Sequence, residues 1–477
     1  MTNQTSITII GGGFCGATIA ALQTALYQEH PARKTGDIHI RVIEKADQVG
    51  GGVAYETDSD ALLLNQPAYA MSPFPQDKDH FTKWLQARYH RYCGDDFAPR
   101  RLYGAYLKDI FRQATGHGAQ TGIHITHLRA TALDVDYDRA TCQFSVKTSA
   151  GCHESNAVII AHGHDKGDFL ADLQTHPRYF DSPPDHDRLA RLTFDAQDQL
   201  LIAGTGQSMV DALALLDAKG FDGTIWACSG KGILPWACDP SLYRVEKPPY
   251  ALHYLSPGTI RAHQATEPAA LHALLDKEIE RAAEKGYGVA HVATAFERNN
   301  PAHGLPSRYR AALDDLAESI ATLYRNPTPP ERHRMIRDYL ARGTLRILKQ
   351  KLTRADLIPH EQGFSFRRGS LFDTAIGSVA ALFNGASFAK APCDPRHGRF
   401  LSGLLQSAAD KGLLCPLETS GALTAGQQAV PGLFVAGPAT RAGKWGVETF
   451  RDDNLTIARQ SLDHALVQRP NPLPNPA

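Results

Sequence analysis

The chain has 477 residues, of which 43% are hydrophobic and 21% are charged, both ordinary values for a globular protein. This length exceeds one simple core and predicts two domains. Lys plus Arg and Asp plus Glu both number 50, so the formal net charge is zero. That balance argues against functions based on bulk electrostatics, and we expect neither a nucleic-acid nor a membrane partner.

The cysteines and the chain ends add further expectations. The eight cysteines form no Cys-x-x-Cys pair and no zinc-like cluster with histidine, so we expect reduced thiols and no metal site. The start of the chain has no signal-peptide pattern, and no apolar run approaches the roughly 20 residues that cross a bilayer. We therefore expect a cytoplasmic protein. Residues 469–477, rich in proline and asparagine, are predicted to form a flexible tail.

A β-rich run at Ser6–Ile10 leads into a glycine loop, a small-residue helix and a second strand that Glu44 ends. In such a βαβ unit Gly11 permits the tight turn, Gly13 lets a pyrophosphate approach the backbone, and Gly16 lets helix and strand pack closely. The unit predicts an ADP-containing cofactor, which we interpret as FAD. The residues assigned to this site are Gly11, Gly13, Phe14, Gly16, Glu44 and Lys45.

A second βαβ pattern begins at Leu200–Ala203 and continues as Gly204-x-Gly206, with Ser208 read as the replacement of the third glycine. No acidic residue closes the following strand, where Ser229 and Lys231 could receive the 2′-phosphate of NADP. NADP is therefore expected and NAD remains possible; a degenerate module that binds nothing is the alternative. The residues assigned to this site are Gly204, Gly206, Gln207, Ser208, Ser229 and Lys231.

A late buried strand at Gly432–Gly437 is far from the first module in sequence, which predicts a split first domain. The fold class is therefore α/β, with two Rossmann-like domains of three-layer ββα type, the second inserted into the first, plus a helical segment. The predicted limits are 1–165 and 426–468 for the FAD domain, and 195–425 for the NAD(P) domain with its helical segment at about 267–352. Gly437 and Thr440 are assigned to the cofactor, and a helix at Asp452–Leu466 is predicted to begin with Asp452 and Asp453 as caps.

Further sequence blocks lie between these elements. They are Gly50-Gly51-Gly52-Val53-Ala54-Tyr55, Leu62-Leu63-Leu64-Asn65-Gln66-Pro67-Ala68, Met71-Ser72, Phe81-x-x-Trp84-Leu85, Pro99-Arg100-x-x-Tyr103-Gly104-x-Tyr106-Leu107, Leu234-Pro235 and Gly437-Pro438-x-Thr440-Arg441. Together with the two glycine loops, they resemble the bacterial FAD-NAD(P)-binding proteins related to class B and N-hydroxylating flavin monooxygenases. The resemblance implies that NADPH reduces FAD and that oxygen is then transferred to an amine.

The resemblance also implies roles for single residues. It places the loop that contains Asn65 and Met71 over the isoalloxazine ring. His162 stands in a strand-end turn, with Gly163, where flavoproteins of this kind often have threonine. The catalytic candidates are therefore Asn65, His162 and Glu448, although a plain turn beside the cofactor also explains His162, and domain packing also explains Glu448.

The leading interpretation is an FAD-dependent monooxygenase that uses NAD(P)H, a small polar substrate and molecular oxygen. Two alternatives remain open at this point. One is an oxidase or dehydrogenase that takes a hydride directly from its substrate, and the other is a non-catalytic protein that senses nucleotides or binds a partner. An oligomer is possible.

Overall fold

The computed structural model of the chain describes residues 5–30, 37–182, 184–238, 240, 247–325, 328–386, 388, 393–394, 399–414, 430–440 and 447–467. The strands in this part of the chain are β1 Thr5–Ile10, β2 Ile38–Glu44, β3 Ile123–Arg129, β4 Ala132–Asp138, β5 Gln143–Thr148, β6 Gly151–Ser155, β7 Ala157–Ile160, β8 Tyr179–Asp181, β9 Gln199–Ala203, β10 Thr224–Cys228, β11 Leu345–Leu348, β12 Leu357–His360, β13 Gly363–Phe366, β14 Ser378–Val379, β15 Ala381–Asn384, β16 Cys393–Asp394, β17 Arg399–Phe400 and β18 Leu433–Val435. The α-helices are α1 Phe14–Glu29, α2 Gly52–Tyr55, α3 His80–Arg88, α4 Arg100–Thr121, α5 His186–Arg191, α6 Gln207–Ala218, α7 Pro257–Ala262, α8 Pro268–Glu284, α9 Val289–Asn299, α10 Arg310–Arg325, α11 Pro330–Arg342, α12 Leu371–Ala375, α13 Gly403–Asp410 and α14 Val447–Val467.

The chain divides into two compact units. The first comprises Met1–Asp60, Ala68–Asp168 and Ser387–Ala477, and the second comprises Ala61–Pro67 and Phe169–Ala386. The second unit therefore interrupts the first in sequence.

The first unit is built on a parallel sheet with the strand order β3-β2-β1-β7-β18. The strands are rich in isoleucine and valine, and all four residues of β7 are buried, as is usual for a parallel sheet covered on both faces. An antiparallel sheet, β4-β5-β6, packs on one face. Helix α1 contacts both α4 and α14. Helix α4 ends at Gly122, whose φ of 88° is the left-handed conformation common after a helix C-terminus.

The second unit repeats this architecture. Its parallel sheet has the order β11-β10-β9-β15-β8, and its antiparallel sheet is β12-β13-β14. Along β9 the side chains alternate between two cores. Leu200 and Ile202 face helix α6, whereas Leu201 packs with Phe364 of the antiparallel sheet. Each such buried side chain stabilises the fold by about 1.5–3 kcal/mol relative to exposure.

The helices α7 to α10 lie in sequence between β10 and β11 and share an apolar core that includes Leu271, Phe296 and Leu316. The predicted helical segment at about 267–352 therefore ends too late, because Leu345–Leu348 is the edge strand β11 of the second parallel sheet. In the described part of the chain, no helix is long and apolar enough to span a membrane.

The boundaries of the second compact unit differ from those of the predicted NAD(P) domain, residues 195 and 425. Tyr179–Asp181 is a strand of the second sheet, so the second unit begins earlier than the predicted domain. Leu404 and Leu405 of α13 pack in the core of the first unit, so the second unit ends earlier too. The predicted tail at 469–477 lies outside the described residues.

Candidate nucleotide-binding sites

The glycine loop of the first unit follows β1. Gly11 has a φ of +102°, and its N–H donates a hydrogen bond to the Ile43 carbonyl at 2.9 Å. A Cβ on Gly11 would lie 2.3 Å from the Ala161 oxygen, and a Cβ on Gly16 would lie 1.9 Å from the Gly11 oxygen. Neither position therefore has room for a side chain, and helix α1 approaches the loop as closely as backbone packing allows.

Gly13 is the N-cap residue of α1, with an extended ψ of −157° and no side-chain cap. A Cβ there would lie 3.6 Å from the nearest atom, the Cα of Gly52, which is an ordinary van der Waals distance, so a small side chain is not sterically excluded at this position. The backbone N–H groups in the first turn of α1 are free of a side-chain cap, as a phosphate group requires.

Glu44 ends β2 with a half-buried carboxylate. It accepts hydrogen bonds from the N–H of Gly12 at 2.8 Å and from the N–H of Ala46 at 3.0 Å. These two donors fix the carboxylate beside the glycine loop, where it can accept further hydrogen bonds from ribose hydroxyls. Lys45, also assigned to the site, is exposed to solvent.

A second glycine segment, residues 50–52, supports this loop. The N–H of Gly50 donates to the Gly12 oxygen at 2.7 Å. Gly50 has a φ of +132°, and a Cβ there would lie 2.6 Å from the Lys108 nitrogen. A Cβ on Gly52 would lie 3.1 Å from the Gly13 Cα. Helix α4 therefore holds this segment against the loop by backbone contacts that only glycine permits.

Phe14 is the first residue of α1, and its ring stacks 6.4 Å from that of Tyr103. Burial raises the pKa of the Tyr103 phenol well above its ordinary value, and its O–H donates to the Met71 oxygen at 2.8 Å. Met71 is itself buried. Asn65, in contrast, belongs to the Ala61–Pro67 segment of the second unit. Asn65 and Met71, which were predicted to share one loop over the isoalloxazine ring, therefore lie in different units.

The turn after β7 contains His162, Gly163 and His164. His162 Nε2 lies 3.2 Å from an Asp165 carboxylate oxygen. Gly163 has a φ of +87° with nothing within 4 Å of a Cβ, so its backbone conformation rather than crowding favours glycine. No motif in the sequence indicates this pairing of His162 with Asp165.

The turn after β18 brings Gly437 beside α1, where a Cβ would lie 3.1 Å from Cys15 Sγ. Burial raises the pKa of the Cys15 thiol to about 12, which keeps it protonated at neutral pH. Thr440 Oγ1 donates to the Gly437 oxygen at 2.8 Å and closes the turn. The strands β1, β2, β7 and β18 are parallel neighbours. The residues at their carboxyl ends therefore lie along one edge of the sheet, and they are Gly11, Glu44, His162 and Gly437.

The helix after this turn is α14, Val447–Val467. The prediction that Asp452 and Asp453 cap its start was wrong, because the helix begins five residues before Asp452. Glu448 lies in its first turn, and its side chain is outside the described residues.

The loop of the second unit repeats the geometry of the first. Gly204 has a φ of +119°, and its N–H donates to the Cys228 carbonyl at 2.8 Å, as that of Gly11 does to Ile43. Gly206 caps α6 with a ψ of −154°, close to that of Gly13. Gln207 begins α6 and its amide nitrogen lies 3.3 Å from an Asp211 oxygen.

This equivalence corrects the position of the third glycine. Helix α6 begins at Gln207 as α1 begins at Phe14, so Gly16 corresponds to the buried Met209 and not to Ser208. Ser208 instead accepts a hydrogen bond from Ser182 at 2.7 Å.

Ser229 follows β10 at the position that Glu44 occupies in the first unit. Its hydroxyl lies 2.9 Å from Thr205 Oγ1 and accepts from the Gly232 N–H at 2.9 Å. A hydroxyl pair thus replaces the Glu44 carboxylate beside the second glycine loop.

Lys231 is held by helix α10. Its ammonium lies 2.9 Å from an Asp315 carboxylate oxygen, 2.9 Å from a Glu318 oxygen and 3.2 Å from the Asp315 carbonyl. Burial by itself would lower the pKa of Lys231, but these hydrogen bonds raise it overall. An ammonium has three donors, and the three contacts engage them all.

Among the described residues, no group of three or more His, Cys, Asp or Glu side chains is placed to hold a metal ion. Each of the two units therefore has the parallel sheet and the glycine loop of a dinucleotide-binding fold. Residues 8–165 match the family model described as FAD-NAD(P)-binding. No curated protein matches the chain in sequence.

Several solved structures share the fold over nearly the whole chain. An ornithine hydroxylase from Pseudomonas aeruginosa, in its reduced form, is 13% identical with a TM-score of 0.55, covering 97% of this chain and 99% of that one. An L-lysine 6-monooxygenase from Pseudomonas syringae is 14% identical with a TM-score of 0.53, covering 98% and 100%. An ornithine N-hydroxylase from Kutzneria sp. 744, with reduced FAD, NADP⁺ and L-ornithine, is 12% identical with a TM-score of 0.56, covering 97% and 99%. At these identities the likeness establishes the fold.

Proposed function

We propose that the protein is an FAD-dependent monooxygenase that uses NADPH and oxygen to hydroxylate the amine of a small polar substrate. The observation that carries the proposal is the presence of two equivalent glycine loops, Gly11–Gly16 and 204–209, each between a parallel strand and a helix. A flavoprotein that takes a hydride directly from its substrate has no need of the second loop.

Several features of the first unit support FAD as its cofactor. The first turn of α1 has no side-chain cap, so its backbone N–H groups can meet a pyrophosphate, and Glu44 offers a fixed carboxylate to a ribose. Gly437 and Thr440 lie at the same edge of the sheet and extend this surface beyond the loop.

The second unit supports NADPH as the reductant. The residue equivalent to Glu44 is Ser229, which brings no negative charge near the position of a 2′-phosphate. Lys231 does not contribute a free donor in this arrangement, so we do not assign it to the phosphate.

The chemistry that a bound flavin supplies is reduction by nicotinamide followed by reaction with oxygen. In the overall reaction, one amine, NADPH, H⁺ and O₂ are converted to one hydroxylamine, NADP⁺ and water. The protein contributes binding, orientation and exclusion of water. The amine is proposed because the similar structures named above include ornithine and lysine hydroxylases.

Two matched variants test the proposal. Gly13→Val and Gly206→Val place the same side chain at equivalent helix caps in the two units. We expect Gly13→Val to lose flavin, read as visible absorbance. We expect Gly206→Val to keep flavin that NADPH no longer reduces under anaerobic conditions.

The wild-type protein should consume NADPH faster when L-ornithine, L-lysine or another small amine is added in air, and mass spectrometry should detect a hydroxylamine. Flavin that a substrate reduces without nicotinamide would instead support the oxidase or dehydrogenase alternative. A purified protein that takes up no flavin on reconstitution would support a non-catalytic role.

A further inference from the structure

His162 and Asp165 form a shielded pair in the turn that follows β7. His162 Nε2 lies 3.2 and 3.3 Å from the two Asp165 oxygens, and the side chains are only 15% and 13% exposed. A carboxylate accepts hydrogen bonds, so Nε2 carries the proton in this pair.

The other ring nitrogen of His162, Nδ1, is buried and has no hydrogen-bond partner among the described residues. With the proton on Nε2, Nδ1 of the neutral ring is an acceptor. Leaving a buried acceptor unsatisfied is unfavourable, so this atom is suited to a donor that the described residues do not provide.

The order of the strands indicates which part of a bound FAD would lie beside His162. Glu44 ends β2, the Gly11 loop follows β1, His162 follows β7 and Gly437 follows β18, and these four strands are consecutive neighbours. The His162 Cα lies 3.1 Å from the position of a Cβ on Gly11. If Glu44 holds the adenosine ribose and the glycine loop the pyrophosphate, the next part of FAD along the edge is the ribityl chain, which carries hydroxyl donors.

We propose that His162 Nδ1 accepts a hydrogen bond from a ribityl hydroxyl of bound FAD, and that Asp165 is the positioning residue that fixes the ring. This inference rests on the proposed binding of FAD by the first unit. It assigns His162 to cofactor binding and removes the need for an acid–base role in catalysis.

Three variants of the full-length protein separate the two ring nitrogens. Asparagine places its amide oxygen close to the position of Nδ1, whereas glutamine places its amide close to the position of Nε2. We therefore compare His162→Asn, His162→Gln and His162→Ala. The measurements are the dissociation constant of FAD, from quenching of flavin fluorescence on addition of apoprotein, and that of ADP, from calorimetry.

The loss of one hydrogen bond predicts that His162→Gln and His162→Ala weaken FAD binding roughly five- to tenfold. His162→Asn should remain within about twofold of the wild type. ADP lacks the ribityl chain, so its affinity should not change in any variant, and unchanged ADP binding also shows that each variant is folded. His124→Gln is the matched control, because His124 pairs with Asp37 through Nε2 at 3.0 Å at the opposite end of the sheet.

The proposal is overturned if His162→Gln binds FAD as tightly as the wild type, or if His162→Asn loses as much affinity as His162→Gln. A parallel loss of ADP affinity would also overturn it, since the contact would then involve the ADP half or the fold. A wild-type protein that binds ADP but not FAD would refute the proposed function as well, which distinguishes the two failures.

Discussion

Glu44 and Ser229 occupy the same position in the two parallel sheets, each one residue after the carbonyl that accepts the N–H of the first loop glycine. In the first unit this position carries a carboxylate that binds the Gly12 N–H at 2.8 Å. In the second unit it carries a hydroxyl that lies 2.9 Å from Thr205. The two units therefore differ in charge where a dinucleotide presents its adenosine ribose.

This difference predicts the effect of Ser229→Glu. The added carboxylate would repel the 2′-phosphate of NADPH and could accept hydrogen bonds from the ribose hydroxyls of NADH. We expect the ratio of kcat/KM for NADPH to that for NADH to fall about fivefold or more, since like charges in close contact cost at least about 1 kcal/mol. Ser229→Ala is the control, because it removes the hydroxyl without adding charge. An unchanged ratio in Ser229→Glu would show that the 2′-phosphate binds elsewhere.

Lys231 gives a second prediction about nicotinamide selectivity. Its donors are engaged by Asp315 and Glu318, so it joins the β10 turn to helix α10 rather than offering a charge to the cofactor. We expect Lys231→Met to change kcat/KM for NADPH and NADH by similar factors, within about twofold of each other. Asp315→Asn should behave in the same way. A loss confined to NADPH would assign Lys231 to the 2′-phosphate after all.

Two glycine substitutions compare a closed position with an open one. A Cβ on Gly16 would lie 1.9 Å from the Gly11 backbone oxygen, whereas a Cβ on Gly116 meets nothing within 4 Å. Gly16→Ala should therefore lower the melting temperature and weaken FAD binding, with a destabilisation of about 2 kcal/mol or more. Gly116→Ala, on the exposed face of α4, should stabilise the protein by about 0.5–1 kcal/mol. Equal melting temperatures would contradict the close packing of helix α1 on the loop.

His164 predicts a pH dependence of stability. Burial, with a smaller contribution from His162, lowers its pKa from 6.5 to about 4, and only Asp165 opposes the shift. The ring of Phe388 lies 5.5 Å away. Between these pH values the unfolded chain binds more protons than the folded one, so this contribution to stability is present above pH 6.5 and is lost as the pH falls towards 4.

The neutral variant His164→Gln should therefore melt with a shallower decline than the wild type over this pH range, as followed by circular dichroism. His90→Gln, at an exposed histidine, serves as the control. A variant with the wild-type slope would mean that His164 titrates normally in the folded protein.

The sequence was most informative where local chemistry and periodicity agree. The buried apolar strands β1 and β9 and the glycine loops that follow them were predicted close to their observed places. The short strands were not. Tyr179–Asp181 has three residues and Leu345–Leu348 has four, too few for a periodic pattern, and both form because neighbouring strands offer them hydrogen bonds.

The start of helix α14 was also not predicted correctly from the sequence. Asp452 and Asp453 are good N-caps by composition, yet the helix runs through them from Val447 because tertiary context overrides a weak capping preference.

The sequence by itself determined the FAD-type loop at Gly11–Gly16 and a second loop at Gly204, because these glycines have a role that depends only on local backbone geometry. Only the tertiary structure decided which side chains meet at those loops. It engaged Lys231 with carboxylates 84 and 87 residues away, where the sequence had predicted a phosphate ligand. It also paired His162 with Asp165 and left Nδ1 buried. Hydrogen-bond partners of this kind depend on distances and burial in the folded chain, and residue spacing in the sequence does not encode them.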